Sequence, residues 1–154
     1  MIIFLISDEN NNRAIEVTHT TPSHIIATFT AHGTVSGVAF ASRLPNGNTL
    51  LTDSNNNRIV EVDHFDNPVW QYFTNTRPCS NPSPLPTRAV RLANSNTLIS
   101  DQFNDQVIEV TSSMVIVASY GTINDPGFSS MTAVEMNAPY SAYVIGDYPG
   151  ITPP

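Results

Sequence analysis

Apolar and polar residues alternate in short runs along this chain, and runs of helical period are nearly absent. The clearest run is Leu50-Leu51-Thr52-Asp53, then the polar stretch Ser54-Asn55-Asn56-Asn57, then Arg58-Ile59-Val60-Glu61-Val62. Alternation of this kind predicts two half-buried β-strands joined by a turn. The pattern recurs. Leu5-Ile6-Ser7-Asp8 leads through Asn10-Asn11-Asn12-Arg13 to Ile15-Glu16-Val17, and Leu98-Ile99-Ser100-Asp101 leads through Asn104-Asp105-Gln106 to Val107-Ile108-Glu109-Val110. A fourth, decayed copy begins at Val144-Ile145-Gly146-Asp147.

The aspartates at positions 8, 53, 101 and 147 set a period in the forties, which with strand patterning points to a propeller or a related repeat architecture. Each full period divides into four strands. In the second they are Val38–Leu44, Thr49–Thr52, Arg58–Asp63 and Val69–Phe73, with Pro45-Asn46-Gly47-Asn48 as a tight hairpin built on Asn-Gly. In the third they are Ala89–Leu92, Thr97–Ser100, Val107–Thr111 and Val115–Tyr120. A four-stranded unit cannot bury both faces alone, so such units stack around an axis.

The expected fold is therefore all-β: a β-propeller with three four-stranded blades in one domain, 1–154. Blade one covers 1–30 and lacks its first strand, blade two covers 36–74, and blade three covers 87–120. Residues 131–148 carry spare strands, a first strand at Thr132–Met136 and a second at Tyr143–Asp147. Three blades do not close a ring, for propellers use typically 4–8. Two chains supply six, the spare strand around Ala133-Val134 of one completing blade one of the other. The expectation is a homodimer formed by strand exchange; the alternative is a fragment of a longer propeller.

Asn48-Thr49-Leu50-Leu51-Thr52-Asp53, Asn57-Arg58-Ile59-Val60-Glu61-Val62-Asp63 and Val69-Trp70-Gln71-Tyr72 resemble NHL-type β-propeller repeats, in the variant of arylsulfotransferase-like propellers. The resemblance covers essentially the whole chain and implies a six-bladed ring. Repeats of this type build scaffolds, binding platforms, lyases and sulfotransferases, so the resemblance speaks to fold and not to one activity.

Charge and composition then narrow the partners. Six arginines, no lysine and a net charge of −7 argue against nucleic acid as a partner, since that binding neutralises phosphates. No apolar run approaches the ~20 residues of a membrane helix, so no membrane partner is expected. The apolar start, Met1–Ile6, matches later strands and lacks the basic lead of a signal peptide. One cysteine, Cys79, allows no intramolecular disulfide.

The repeated aspartates read as turn residues that accept backbone N–H groups. Asn12, Asn57 and Asn104 belong to the same turns, and Arg13 and Arg58 can pair with the turn carboxylates. Arg43, Arg91 and Glu135 occupy equivalent places near the ends of first strands, the strands nearest a propeller axis. They are the candidate ligand-binding set, able to hold an anion at the channel or to fasten the ring as Arg–Glu pairs. His19, His24, His32 and His64 share no metal-ligand spacing. No catalytic residue, metal or cofactor is assigned. The proline-rich loop Asn75–Pro86 reads as a linker or a ligand-contacting loop. The functional expectation is a non-enzymatic binding or scaffold module for a protein or small polar ligand. The alternative is a propeller lyase, lactonase or sulfotransferase with its site at the channel mouth.

Overall fold

The computed structural model describes residues 1–128 and 134–147. Among the described residues, eleven strands form three antiparallel sheets of three, four and four strands. The first holds β1 (Ile3–Asp8), β2 (Arg13–Thr18) and β3 (Ile25–Phe29). The second holds β4 (Val38–Arg43), β5 (Thr49–Asp53), β6 (Arg58–Val62) and β7 (Pro68–Phe73). The third holds β8 (Arg88–Arg91), β9 (Thr97–Asp101), β10 (Gln106–Val110) and β11 (Ile116–Tyr120). Strands pair in chain order within each sheet. β4 packs against β1, and β8 against β4 and β5, so these mark the inner side.

The sheets share details as well as strand order. A single 3-10 turn joins β1 to β2, β5 to β6 and β9 to β10, and ends on Asn12, Asn57 or Asp105 in the left-handed region. Asn and Asp tolerate that conformation better than other residues with a side chain. The pairing to the outermost strand shifts register after Glu16, Glu61 and Glu109, once per sheet at the same place. The hairpins before β5 and β9 are closed by Leu44 N–H to Asn48 O and Leu92 N–H to Asn96 O. Gly47 and Ser95 take the positive φ there, so the loop has three residues where an Asn-Gly pair predicts two.

Two apolar layers hold the sheets together. Ala14, Phe29, Val38, Leu51, Val60 and Val62 fill the space between the first and second sheets. Leu50, Ile59, Tyr72, Ala89, Ile99 and Ile108 fill that between the second and third. Successive strand residues face opposite sides, so Leu50 serves one layer and Leu51 the other. β5 and β9 are buried at every position. β1 is not: Phe4 is 48% exposed and Ile6 43%. Among the described residues no strand pairs with its inner edge and no sheet lies against its outer face.

Two expectations change at the C-terminal end. Thr132 and Ala133 lie outside the described residues, and Val134–Met136 is coil, not the first strand expected there. Tyr143–Asp147 is also not a second strand: it is coil leading into a turn closed by Asp147 N–H to Val144 O. The reason lies in a repeated contact between sheets. The Asn12 side chain accepts the Gly37 N–H, Asn57 the Leu85 N–H, and Asp105 the Ala138 N–H. Gly37, Leu85 and Ala138 all have positive φ. Gly37 stands just before β4 and Leu85 three residues before β8. Ala138 thus takes the place that Gly37 and Leu85 take in this contact, although the residues that follow it are coil and turn, not a strand. Ala142 accordingly packs on Leu92, Leu98 and Val107 of the third sheet, as Ala89 packs on the second.

Candidate functional site

The sequence places Arg43 and Arg91 at equivalent ends of β4 and β8, and both reach back to the sheet before their own. Arg43 pairs with Glu16 on β2. Arg91 Nη2 lies 2.8 Å from Glu61 Oε2 on β6. Each guanidinium also covers an aromatic ring, Arg43 at 5.0 Å from the centroid of Phe29 and Arg91 at 5.3 Å from that of Trp70. A guanidinium over a ring face gains from the ring quadrupole while its fork stays free for a carboxylate. Trp70 is fixed in turn, its indole N–H donating to Ser112 O.

Glu61 and Glu109 are gripped in the same way from the hairpin of their own sheet. Asn46 and Asn48 donate to Glu61 Oε1, and Asn94 and Asn96 donate to Glu109 Oε1. Burial pushes the Glu61 carboxyl up, but the amides of Asn48 and Asn46 and the charge of Arg91 outweigh it. The net position is below the usual carboxylate range. Glu109 is also held low, by Asn96 and Asn94. The role of these glutamates as acceptors for two asparagines, and for an arginine at Glu61, has a sequence signal in the recurrence of Asn-x-Asn, Glu and Arg in blades two and three.

Glu135 is not at the matching place. It is exposed coil, its Cβ packed closely on Gly127. By the Ala138 landmark, the counterpart of Arg43 and Arg91 is Val144. The three candidate residues therefore have separate surroundings, two of them engaged in ion pairs between sheets. Replacing Arg91 by Ala removes the cation from a carboxylate whose side chain is 7% exposed. The expected loss is about 3 kcal/mol near neutral pH, the low end of the range for breaking a buried pair. Because the folded Glu61 carboxyl is lowered, its contribution is present above the unfolded value and fades as pH falls through the folded one. Urea unfolding of Arg91→Ala and the parent should differ clearly at pH 7, and the difference should shrink as pH falls below the ordinary carboxylate range.

The repeated aspartates do shape their turns, with side-chain partners more than backbone ones. Asp8 accepts from Asn11 Nδ2 at 2.8 Å and Arg13 Nε at 2.7 Å. Asp53 accepts from Asn56, from Arg58 Nε at 2.5 Å, and from Ser36 N–H at 2.6 Å in the loop from the previous sheet. Asp101 accepts from Asn104 and from Arg77 Nη2 at 2.5 Å. Asp147 sits in no such turn and accepts from Ala93 N–H. Asp66, which no repeat singles out, is a further inter-sheet clasp: its carboxylate accepts the N–H groups of Thr30, Ala31 and His32 and the Thr30 hydroxyl.

The loop Asn75–Pro86 is anchored rather than loose. Arg77 leaves it to bond Asp101 and Gln106, and Asn104 accepts from Ser80 and Asn81. Burial pushes the Asp101 carboxyl up to about 6, against the downward pull of Asn104 and Arg77. The histidines have separate surroundings: His19 meets Phe4 edge-on, His32 shares a 2.8 Å hydrogen bond with Asn67, and His64 lies on Phe65. Cys79 is exposed. Among the described residues no group of three His, Cys, Asp or Glu is placed to hold a metal ion.

No protein-family model matches the sequence, and no curated protein does. Solved structures do. A catalytically inactive variant of virginiamycin B lyase from Staphylococcus aureus, with quinupristin, superposes at a TM-score of 0.60 and 15% identity. A streptogramin B lyase structure gives 0.59 and 15%, and a protein of unknown function from Bacteroides caccae gives 0.53 and 15%. These matches cover 78–80% of this chain. The chain spans about two fifths of the length of the neighbours, 39%, 38% and 43% respectively. At this identity the likeness speaks for fold alone: three antiparallel sheets arranged as in β-propeller proteins.

Proposed function

We propose that this chain is a non-enzymatic propeller module of the NHL-like, arylsulfotransferase-like kind, which pairs with itself into a six-bladed ring and binds a protein or small polar ligand. Blades 1–30, 36–74 and 87–120 are its building units. The observation that carries the reading is the use of Arg43 and Arg91. Both candidate anion-binding groups are paired with glutamates of the preceding sheet and laid over aromatic rings. That arrangement fastens blades together. Binding then falls to the inter-blade loops, of which Asn75–Pro86 is held in shape by Arg77 and by its prolines.

A propeller lyase is the second reading, favoured by the likeness to virginiamycin B lyase. Quinupristin separates the two. The purified chain incubated with it is expected to leave it unchanged by liquid chromatography and mass spectrometry. A time-dependent product peak that disappears on boiling the protein would overturn the non-enzymatic reading and establish the lyase one.

A further inference from the structure

We infer that residues 139–147 supply the innermost strand of blade one in a second copy of this chain. This rests on the ring-building reading above and names the segment that closes the ring. The blade-to-blade interface is seen twice within the chain, and its two halves are left unpartnered at opposite ends. On one side, β1 has a free inner edge, and Phe4 and Ile6 are largely uncovered. Its counterparts β5 and β9 are paired on that edge by β4 and β8. On the other side, Leu92, Leu98 and Val107 form the outer layer of blade three, with Ala142 seated on it where Ala89 sits on blade two.

The segment is thus already placed as a first strand, lacking only the sheet it would join. Asp105 holds Ala138 N–H at 2.9 Å, and Thr87 donates its hydroxyl to Tyr140 O at 2.5 Å. Tyr143 and Ile145 are exposed, Ile145 at 88%. An unpaired apolar strand edge is unfavourable in water, and an unpaired segment of matching length beside a blade is its complement.

The register follows from the blades on the page. Arg43 pairs with Thr49, Ser42 with Leu50 and Ala41 with Leu51. Arg91 pairs with Thr97, Val90 with Leu98 and Ala89 with Ile99. In blade one, Phe4, Leu5 and Ile6 stand where Thr97, Leu98 and Ile99 stand in blade three, because Asp8 corresponds to Asp101. The incoming strand therefore sets Val144 opposite Phe4, Tyr143 opposite Leu5 and Ala142 opposite Ile6. One consequence is specific to this junction. Val144 stands where Arg43 and Arg91 stand, so Glu109 meets no arginine there and keeps only Asn94 and Asn96.

Single-cysteine variants in a Cys79→Ser background test this. Light scattering of that background protein is expected to give the mass of two chains; a monomer at all concentrations would sink the ring reading, and the inference with it. Phe4→Cys and Val144→Cys proteins, mixed, unfolded, refolded together and oxidised, are expected to run on non-reducing denaturing gels as a covalent heterodimer joining the two variants. The control mixture of Phe4→Cys with Glu135→Cys should stay unlinked. A two-chain mass without the Phe4–Val144 bridge, or with the Phe4–Glu135 bridge instead, overturns the assignment of residues 139–147 while leaving the ring itself standing.

Discussion

Replacing Asp53 by Ala is expected to lower the melting temperature by roughly 6–20 °C. Asp53 is fully buried at the end of β5, and its carboxylate joins three pieces of chain: the Asn56 turn, Arg58 at the start of β6, and the Ser36 N–H of the loop from blade one. Its loss leaves the Arg58 guanidinium, 11% exposed, without its anion and a partly buried N–H without an acceptor. Breaking a buried ion pair from one side costs about 3–5 kcal/mol. Each kcal/mol corresponds to roughly 2–4 °C for a chain of this size. Asp53→Asn keeps an oxygen for Ser36 but sets an amide against Arg58, so it should fall between Ala and the parent. Asp8 is the internal control. It makes the same contacts to Asn11 and Arg13, but at the open end of the chain where water competes. Asp8→Ala should shift the melting temperature far less. Equal shifts for the two aspartates, read by differential scanning calorimetry, would contradict the account.

That contrast shows what the sequence made legible. The middle hairpin of each blade is local: the alternation in Thr49–Asp53 and Thr97–Asp101, the left-handed turn residue and the Asp with its Asn partner lie within a few residues. A reader of the chain can see them, together with the four-strand count and the all-β class. The Arg13 and Arg58 pairs with turn carboxylates were legible for the same reason. Contacts between blades were less so. Arg43 and Glu16 are 27 residues apart, Arg91 and Glu61 are 30 apart. The recurrence of these residue types is visible, but which copy pairs with which is fixed only by how blades stack.

The misplacement of the last strand has a similar cause. Likeness to Ala41–Leu44 and Ala89–Leu92 puts a first strand at Thr132–Met136. The real landmark is the residue held by the left-handed turn of the preceding blade, and the distance to it grows along the chain. It is 25 residues from Asn12 to Gly37, 28 from Asn57 to Leu85 and 33 from Asp105 to Ala138. The loops between blades absorb the difference, because their backbone is exposed and their length costs little. Sequence periodicity therefore drifts by several residues at the C-terminal end, enough to move the candidate Arg position from Val144 to Glu135.

Arg77→Ala should destabilise the chain in a way that grows with pH. In blade two the cation on the buried aspartate is Arg58, from the adjoining strand. In blade three that strand position is Gln106, and Arg77 reaches in from the proline-rich loop to bond both Gln106 and Asp101. Burial holds the Asp101 carboxyl at about 6, above the ordinary aspartate value of 3.8. Between those values the folded chain binds more protons at this site than the unfolded one, so stability from Asp101 falls as pH rises through the window and is level above it. Removing Arg77 withdraws the main charge that makes ionisation tolerable, and the fall should extend to higher pH. At pH 4, with the carboxyl protonated in the folded state, the variant should lie close to the parent. At pH 8 the gap should reach about 3 kcal/mol, the low end for an uncompensated buried charge. The proline-rich loop, freed of its anchor, should also become cleavable by thermolysin under native conditions. Gln106→Arg added to Arg77→Ala rebuilds the blade-two arrangement around Asp101 and should recover most of the stability at pH 8 without protecting the loop. A gap of equal size at pH 4 and pH 8, with no recovery in the double variant, would mean that Arg77 acts through packing of the loop alone and not through the charge on Asp101.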